Sequence, residues 1–117
     1  VFCVLSLSDR LSPWACIQRR LAAAALGDVC IALYNPSSKG RPDYLEKAVR
    51  ILLEHGKPPQ TVCGLVRNIG REGQTHRVLT LAQLEHTPGD MFTTVFIGNA
   101  ETKQLSGRMV TPRGYRG

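Results

Sequence analysis

The sequence predicts an α/β layered domain with a largely buried mixed sheet of about five strands. Three observations carry that expectation. Strand-length apolar runs alternate with amphipathic helical stretches, in the order strand, helix, strand, helix, strand, strand, helix, strand. The run Val29-Cys30-Ile31-Ala32-Leu33-Tyr34 is apolar throughout, the pattern of a strand covered on both faces. Glycine, proline and small polar residues punctuate the junctions.

Each element has a local reason. Phe2-Cys3-Val4-Leu5 reads as a buried strand ending in the polar turn Ser6-Leu7-Ser8-Asp9. Ser12-Pro13-Trp14 is a helix start, with serine as cap and proline in the first turn. The helix runs over 14–26, with Ile17, Leu21, Ala24 and Ala25 on one face and Gln18, Arg19 and Arg20 on the other, and stops at Gly27. After the 29–34 strand comes the loop Asn35-Pro36-Ser37-Ser38-Lys39-Gly40-Arg41. A second helix over 42–55 carries the stripe Leu45, Val49, Leu52 and Leu53, and Gly56 closes it. Residues 61–66 form a third strand, and 75–79 return beside it as a hairpin. Thr80 caps a short helix, Pro88-Gly89-Asp90 turns the chain, and 93–97 form another strand closed by Gly98-Asn99. From Glu101 onward the chain is a polar tail with no expected element.

A chain of 117 residues, 43% apolar and 21% charged, suits one soluble compact domain. No apolar run approaches the roughly 18 residues a membrane span needs. The apolar start lacks the basic leader and cleavage site of a secretory signal. Opening on Val1, inside an apolar run, reads as a fragment. The net charge of +6 comes from dispersed residues with no run interleaved with aromatics, which argues against nucleic acid and suits a polyanionic small molecule. Cys3, Cys16, Cys30 and Cys63 form no CxxC pair and have no histidine at metal spacing, so the reading is reduced thiols in a cytoplasmic protein with no metal. His55, His76 and His86 are scattered and read as surface residues. Trp14 reads as a packing anchor.

In open α/β sheets ligands bind beyond the carboxyl ends of the strands, and three strand ends here carry unusual residues. The Asn35 loop fits ordinary turn chemistry, or an amide that reads a nucleoside edge with Lys39 and Arg41 meeting carboxylates. Arg67-Asn68-Ile69-Gly70-Arg71-Glu72-Gly73 fits a solvated turn or a polar clamp for a carboxylate. The third end is Gly98-Asn99-Ala100-Glu101-Thr102, with Met91-Phe92-Thr93-Thr94 at the other end of its strand. No nucleophile elbow, phosphate loop or metalloprotease motif occurs.

Five collinear motifs together resemble one family. They are Ser6-Leu7-Ser8-Asp9-Arg10-Leu11-Ser12-Pro13-Trp14, Ala32-Leu33-Tyr34-Asn35-Pro36-Ser37-Ser38-Lys39, Val66-Arg67-Asn68-Ile69-Gly70-Arg71-Glu72-Gly73, Asp90-Met91-Phe92-Thr93-Thr94-Val95-Phe96-Ile97-Gly98-Asn99 and Gly107-Arg108-Met109-Val110-Thr111-Pro112-Arg113-Gly114-Tyr115. The chain resembles the C-terminal half of the precorrin-3B C17-methyltransferase family, within the tetrapyrrole methylases. The resemblance implies two α/β domains with S-adenosyl-L-methionine between them, here with residues 1–8 as interdomain strand and junction and the N-terminal domain absent. It implies C17 methylation and ring contraction of precorrin-3B to precorrin-4, or reaction of cobalt-factor III on the anaerobic route, with S-adenosyl-L-homocysteine as product and commonly a homodimer. By the same resemblance, Asn35 packs on the cofactor adenosine with Tyr34 and Pro36 beside it. Arg67, Asn68 and Ile69 form a second cofactor turn, with Ile69 standing where relatives often carry alanine. Backbone groups of Thr93 and Thr94 reach the adenine, and Ser8, Asp9, Arg71 and Glu72 line the substrate trough. The family's glycine-rich loop and its Asp/Ser cofactor turn belong to the other half, so this chain is expected to fold without catalysing transfer. The alternatives are methylation at another ring carbon, a non-catalytic dimerisation or scaffold module, and a basic nucleic-acid-binding domain.

Overall fold

Strands β1 (Phe2–Ser6), β2 (Cys30–Tyr34), β3 (Val62–Arg67), β4 (Thr75–Thr80) and β5 (Thr93–Ile97) form one sheet in the spatial order β1-β2-β5-β3-β4. The computed structural model describes residues 2–7, 13–34, 43–70, 72–87, 92–105 and 108–110. β1 and β2 are parallel, β5 runs antiparallel to both β2 and β3, and β4 returns antiparallel beside β3. The expected mixed five-stranded sheet is therefore present. Helices α1 (Trp14–Leu26), α2 (Tyr44–Glu54) and α3 (Leu81–Glu85) lie close to the expected positions. The Ser12 cap lies outside the described residues, and α1 starts after Pro13 without a side-chain cap bond. Thr80 does cap α3, in a reciprocal box in which its hydroxyl accepts from the Gln83 amide and its own amide donates to the Gln83 side chain.

The period-two alternation of strands sorts the sheet into rows. On one face lie the rows Leu5–Leu33–Val95–Leu65–Arg77 and Cys3–Ile31–Ile97–Cys63–Leu79. Their buried members join Ile17 and Leu21 of α1, Leu45, Val49 and Leu52 of α2, and Leu81 and Leu84 of α3 in one apolar core. Trp14 anchors this layer as expected: its ring stacks on Tyr44, with centroids 4.7 Å apart, and ties α1 to α2.

The other face differs from the expectation of a sheet covered on both sides. Its rows are Ser6–Tyr34–Thr94–Val66–His76 and Val4–Ala32–Phe96–Gly64–Val78. No described helix contributes to it. Val4, Tyr34 and His76 are exposed, and Val66, Val78, Thr94 and Phe96 are half-buried. β2 itself is buried on both sides from Cys30 to Leu33, as its apolar run predicts, because Cys30 and Ala32 are small and larger residues in register, such as Phe96 beside Ala32, shield them without a described helix on that face. The tail also holds structure that the sequence did not predict. β6 (Lys103–Leu105) and β7 (Arg108–Val110) form a small antiparallel hairpin, and Met109 seats on Gly64, where a Cβ would lie 2.9 Å from its Sδ.

The end of the sheet where β5 exits is locked by a buried lysine. The Lys57 side chain is 1% exposed and its ammonium donates to the Gly98 carbonyl at 2.7 Å and to Asp28 Oδ1 at 3.3 Å. Asp28, at φ 50, also accepts from the Ala100 amide at 3.0 Å through Oδ2. One amine thereby links the connections that precede β2 and β3 to the exit of β5. Thr102 packs so closely on Gly98 that a methyl there would overlap its side chain. Lys57→Met leaves a buried carbonyl without its charged donor, so we expect a loss of roughly 1–3 kcal/mol in urea unfolding. Gly98→Ala is expected to cost about 1–3 kcal/mol by overpacking, with part of the loss recovered when Thr102→Ala is added in the same molecule.

Candidate functional site

Because β5 opposes β2 and β3, its first residues meet their last ones. Thr94 lies between Tyr34 on one side and Val66 on the other, and Thr93 pairs with Arg67. The Asn68 amide donates to the Phe92 carbonyl at 3.0 Å, joining the exit of β3 to the entry of β5. The Leu7 amide donates to the Tyr34 carbonyl at 3.0 Å, so β1 ends at the same place. Tyr34, Arg67, Asn68, Ile69, Thr93 and Thr94 thus gather at one end of the sheet. They divide between its faces: Tyr34 and Thr94 share the open-face row, whereas Arg67 and Thr93 share the helix-facing one.

Glu72 is exposed on the turn that leaves the same end. Asn35, Pro36, Ser8, Asp9 and Arg71 lie outside the described residues. The Gly98 turn, expected to be a third ligand-facing end, is at the opposite end of the sheet, under Lys57. The direction of β5 is the reason, since an antiparallel strand brings its amino end, not its carboxyl end, to the ends of β2 and β3.

After β3, three described positions adopt left-handed backbone. Asn68 has φ 54, Gly70 φ 71 and Gly73 φ 81. Glycine adopts such angles without a Cβ clash, and asparagine tolerates them better than most residues. The Gly70 amide donates to Gln74 Oε1 at 2.8 Å. This braces the turn, on which Ile69 is 51% exposed.

Exposed large apolar residues concentrate here. Tyr34 is 42% exposed and Phe92 47% exposed, and with Ile69 they rim one end of the sheet. Such a cluster marks a surface that something apolar covers. The sequence motifs give site roles to Tyr34 and Ile69, whereas Phe92 occurs there only as part of the Met91-Phe92-Thr93-Thr94 segment with no role of its own. The first turns of α1 and α2, carrying Trp14 and Tyr44, start from the same end because each helix follows a strand that finishes there.

Cys63 lies in the buried core, away from this end. Burial pushes its thiol up to about 12 from 9.0, against smaller lowering by nearby Lys57 and a Gly98 backbone hydrogen bond. All four cysteines are thiols. Among the described residues, no group of three or more His, Cys, Asp or Glu could hold a metal, and no helix is long and apolar enough to cross a membrane.

The fold and its arrangement of strand ends define the class. The chain superposes on the methyltransferase CobJ with a TM-score of 0.83 and 34% identity, covering 95% of this chain and 46% of that one. It also shares its fold with the uroporphyrin-III C-methyl transferase of Thermus thermophilus, solved in complex with S-adenosyl homocysteine, at a TM-score of 0.64 and 12% identity over 84% of this chain and 40% of that one. This is the α/β fold of the tetrapyrrole methylases.

The sequence comparisons are more particular. The chain is 42% identical to the probable cobalt-factor III C(17)-methyltransferase of Salmonella typhimurium, over 97% of its own length and 47% of the relative's. It is 40% identical to the precorrin-3B C(17)-methyltransferase of Sinorhizobium sp, over 99% of its own length and 47% of the relative's. By sequence the chain is similar, over nearly its whole length, to cobalt-factor III and precorrin-3B C17-methyltransferases, and it spans about half the length of these curated relatives. No protein-family model matches it.

The Cys63 environment gives a test of core integrity. At pH 8 a thiol with a pKa near 12 is ionised to only about one part in ten thousand, so alkylation of native protein is expected at Cys3 and Cys16 and not at Cys63, which labels on unfolding. The folded pKa is raised above the unfolded value. The stability this burial contributes is therefore complete below about pH 9 and falls as pH climbs from 9 toward 12, which alkaline unfolding curves of the native chain and Cys63→Ala would reveal.

Proposed function

We infer that this chain is the C-terminal, cofactor- and substrate-contacting part of a C17-methyltransferase of corrin biosynthesis. In this reading it contributes one wall of an S-adenosyl-L-methionine site in an enzyme that converts precorrin-3B, or cobalt-factor III, with ring contraction. The single observation that carries the reading is the convergence of Tyr34, the turn at Asn68 and Ile69, and Thr93 and Thr94 at one sheet end, rimmed by exposed apolar side chains. The sequence similarity over 97% of the chain supports it. The other wall belongs to the half of the relatives' length that this chain does not span.

The residues present fit a nucleoside. Tyr34, Ile69 and Phe92 offer apolar surface to a flat base, and the polar backbone of the 68–70 turn lies next to them. In this reading Asn35 and Pro36, which follow Tyr34 in sequence, also serve the cofactor, and Ser8, Asp9, Arg71 and Glu72 serve the substrate. Bound S-adenosyl-L-methionine supplies an already activated methyl group. The chain's own task is then to hold and orient it and to exclude water, which needs no catalytic triad or metal. The dispersed positive charge of +6 suits a substrate with many carboxylates. A cytoplasmic homodimer completes the proposal.

Two measurements test it. Titration calorimetry of the 117-residue chain with S-adenosylhomocysteine should give a Kd weaker than about 1 mM, since half the pocket is lacking; tight binding by the chain alone contradicts the split site. Grafting these residues over the corresponding part of the Salmonella relative should retain methylation of a C17-unmethylated tetrapyrrole. In that graft Asn35→Ala, Arg67→Ala and Thr94→Arg should each cut cofactor affinity about tenfold or more without altering the circular dichroism spectrum. Unchanged turnover in all three would assign the sheet end to scaffolding instead.

A further inference from the structure

The connection from β3 to β4 leaves the ladder at the Arg67–Thr75 pair and carries Asn68 and Ile69 of the strand-end site. Two hydrogen bonds bracket Ile69. On one side the Asn68 amide donates to the Phe92 carbonyl at 3.0 Å, which ties the segment to the entry of β5. On the other the Gly70 amide donates to Gln74 Oε1 at 2.8 Å, which ties it to the residue directly before β4. Asn68 and Gly70, at φ 54 and 71, lie outside the angles of helix and strand, so no regular ladder fixes them. The two contacts hold the Ile69 peptide between points on different strands.

Glutamine suits this task by length and by chemistry. Its amide oxygen reaches back four residues to a backbone donor. Gly70 and Gln74 are both exposed, so the bond competes with water and adds little to the stability of the whole fold. Its effect is local. Glycine is the residue with most backbone freedom to lose, and an anchor at Gly70 limits that freedom before any ligand arrives. A turn already ordered in its bound shape spares the ligand the cost of ordering it.

We propose that Gln74 is a positioning residue of the strand-end site, acting through Gly70 rather than on a ligand to keep Asn68 and Ile69 in one conformation. The inference rests on the cofactor reading of that site. Gln74→Leu removes the acceptor at similar size, and Gln74→Glu keeps an acceptor oxygen at the same reach. In the native chain, nitrogen relaxation should give order parameters of about 0.85 at Ile69 and Gly70, kept in Gln74→Glu and falling below about 0.6 in Gln74→Leu. The thermal transition should be the same in all three. In the Salmonella graft, calorimetry should show S-adenosylhomocysteine bound about three- to tenfold more weakly by Gln74→Leu and within about twofold of the unsubstituted graft by Gln74→Glu. Thr94→Arg is the control, since it obstructs the site directly. If Thr94→Arg weakens the cofactor and Gln74→Leu does not, the positioning role is overturned while the cofactor site stands. An equally ordered turn in Gln74→Leu, or equal weakening by Gln74→Glu and Gln74→Leu, also overturns it. If neither Thr94→Arg nor Gln74→Leu alters binding, the cofactor reading itself fails and takes the role with it.

Discussion

The strand β5 holds the arrangement together because it is hydrogen-bonded to β2 on one side and β3 on the other. Its register fixes two separate turns with one set of bonds. Thr94 stands level with Tyr34 and Val66 at once, so the exits of β2 and β3 cannot move apart without breaking β5 from one of them. A slip of one residue along either neighbour would turn Thr94 to the helix side and Val95 out of the core. Burial of Val95 and Ile97, both essentially inaccessible, opposes that slip, so the apolar core enforces the geometry of the polar end.

The same strand marks where reading the sequence reached its limit. Apolar pattern reports that 93–97 is a buried strand and says nothing about its direction. Taking both ends as candidates was the most the pattern allowed, and the antiparallel pairing brings Thr93, not Gly98, beside the exits of β2 and β3. The helices were legible because their stripes have a 3.6-residue period over three turns or more, as in Leu45, Val49 and Leu52. The hairpin of β6 and β7 was not, because two strands of three residues with mixed polarity have no period to detect. Of the candidate site, the residues on the 68–70 turn were visible through their glycine and asparagine chemistry. Phe92 lay within the Met91–Thr94 segment but carried no role of its own, since a single aromatic in a turn has no pattern until the Asn68 hydrogen bond shows what it borders.

The openness of one sheet face follows from residue size. Cys30, Ala32 and Gly64 are small and lie in the middle of the face, while Phe96 and Val66 stand around them. Small residues there can be shielded by neighbours within the sheet, so a second layer of helices is not required to keep water off the backbone. A continuous apolar run is thus compatible with a single covered face when its outward members are small.

The two ends of the sheet handle strain in opposite ways. Among the described residues, Asp28 and Asn68 are the non-glycine positions in left-handed backbone, one at each end. Both are residue types whose short polar side chains make that conformation tolerable. At Asp28 the carboxylate is committed: it accepts from Lys57 and from the Ala100 amide, and the surrounding loops close over the lysine. At Asn68 the backbone amide is committed to Phe92, but the turn carries Ile69 outward and leaves apolar surface uncovered. Burying that surface on a ligand returns free energy at about 25 cal/mol per Å², the same driving force that closes the core. Locking one end tightly lets the other expose apolar surface without loosening the sheet, and uncovered apolar surface on fixed strand positions is what a pre-organised binding surface requires.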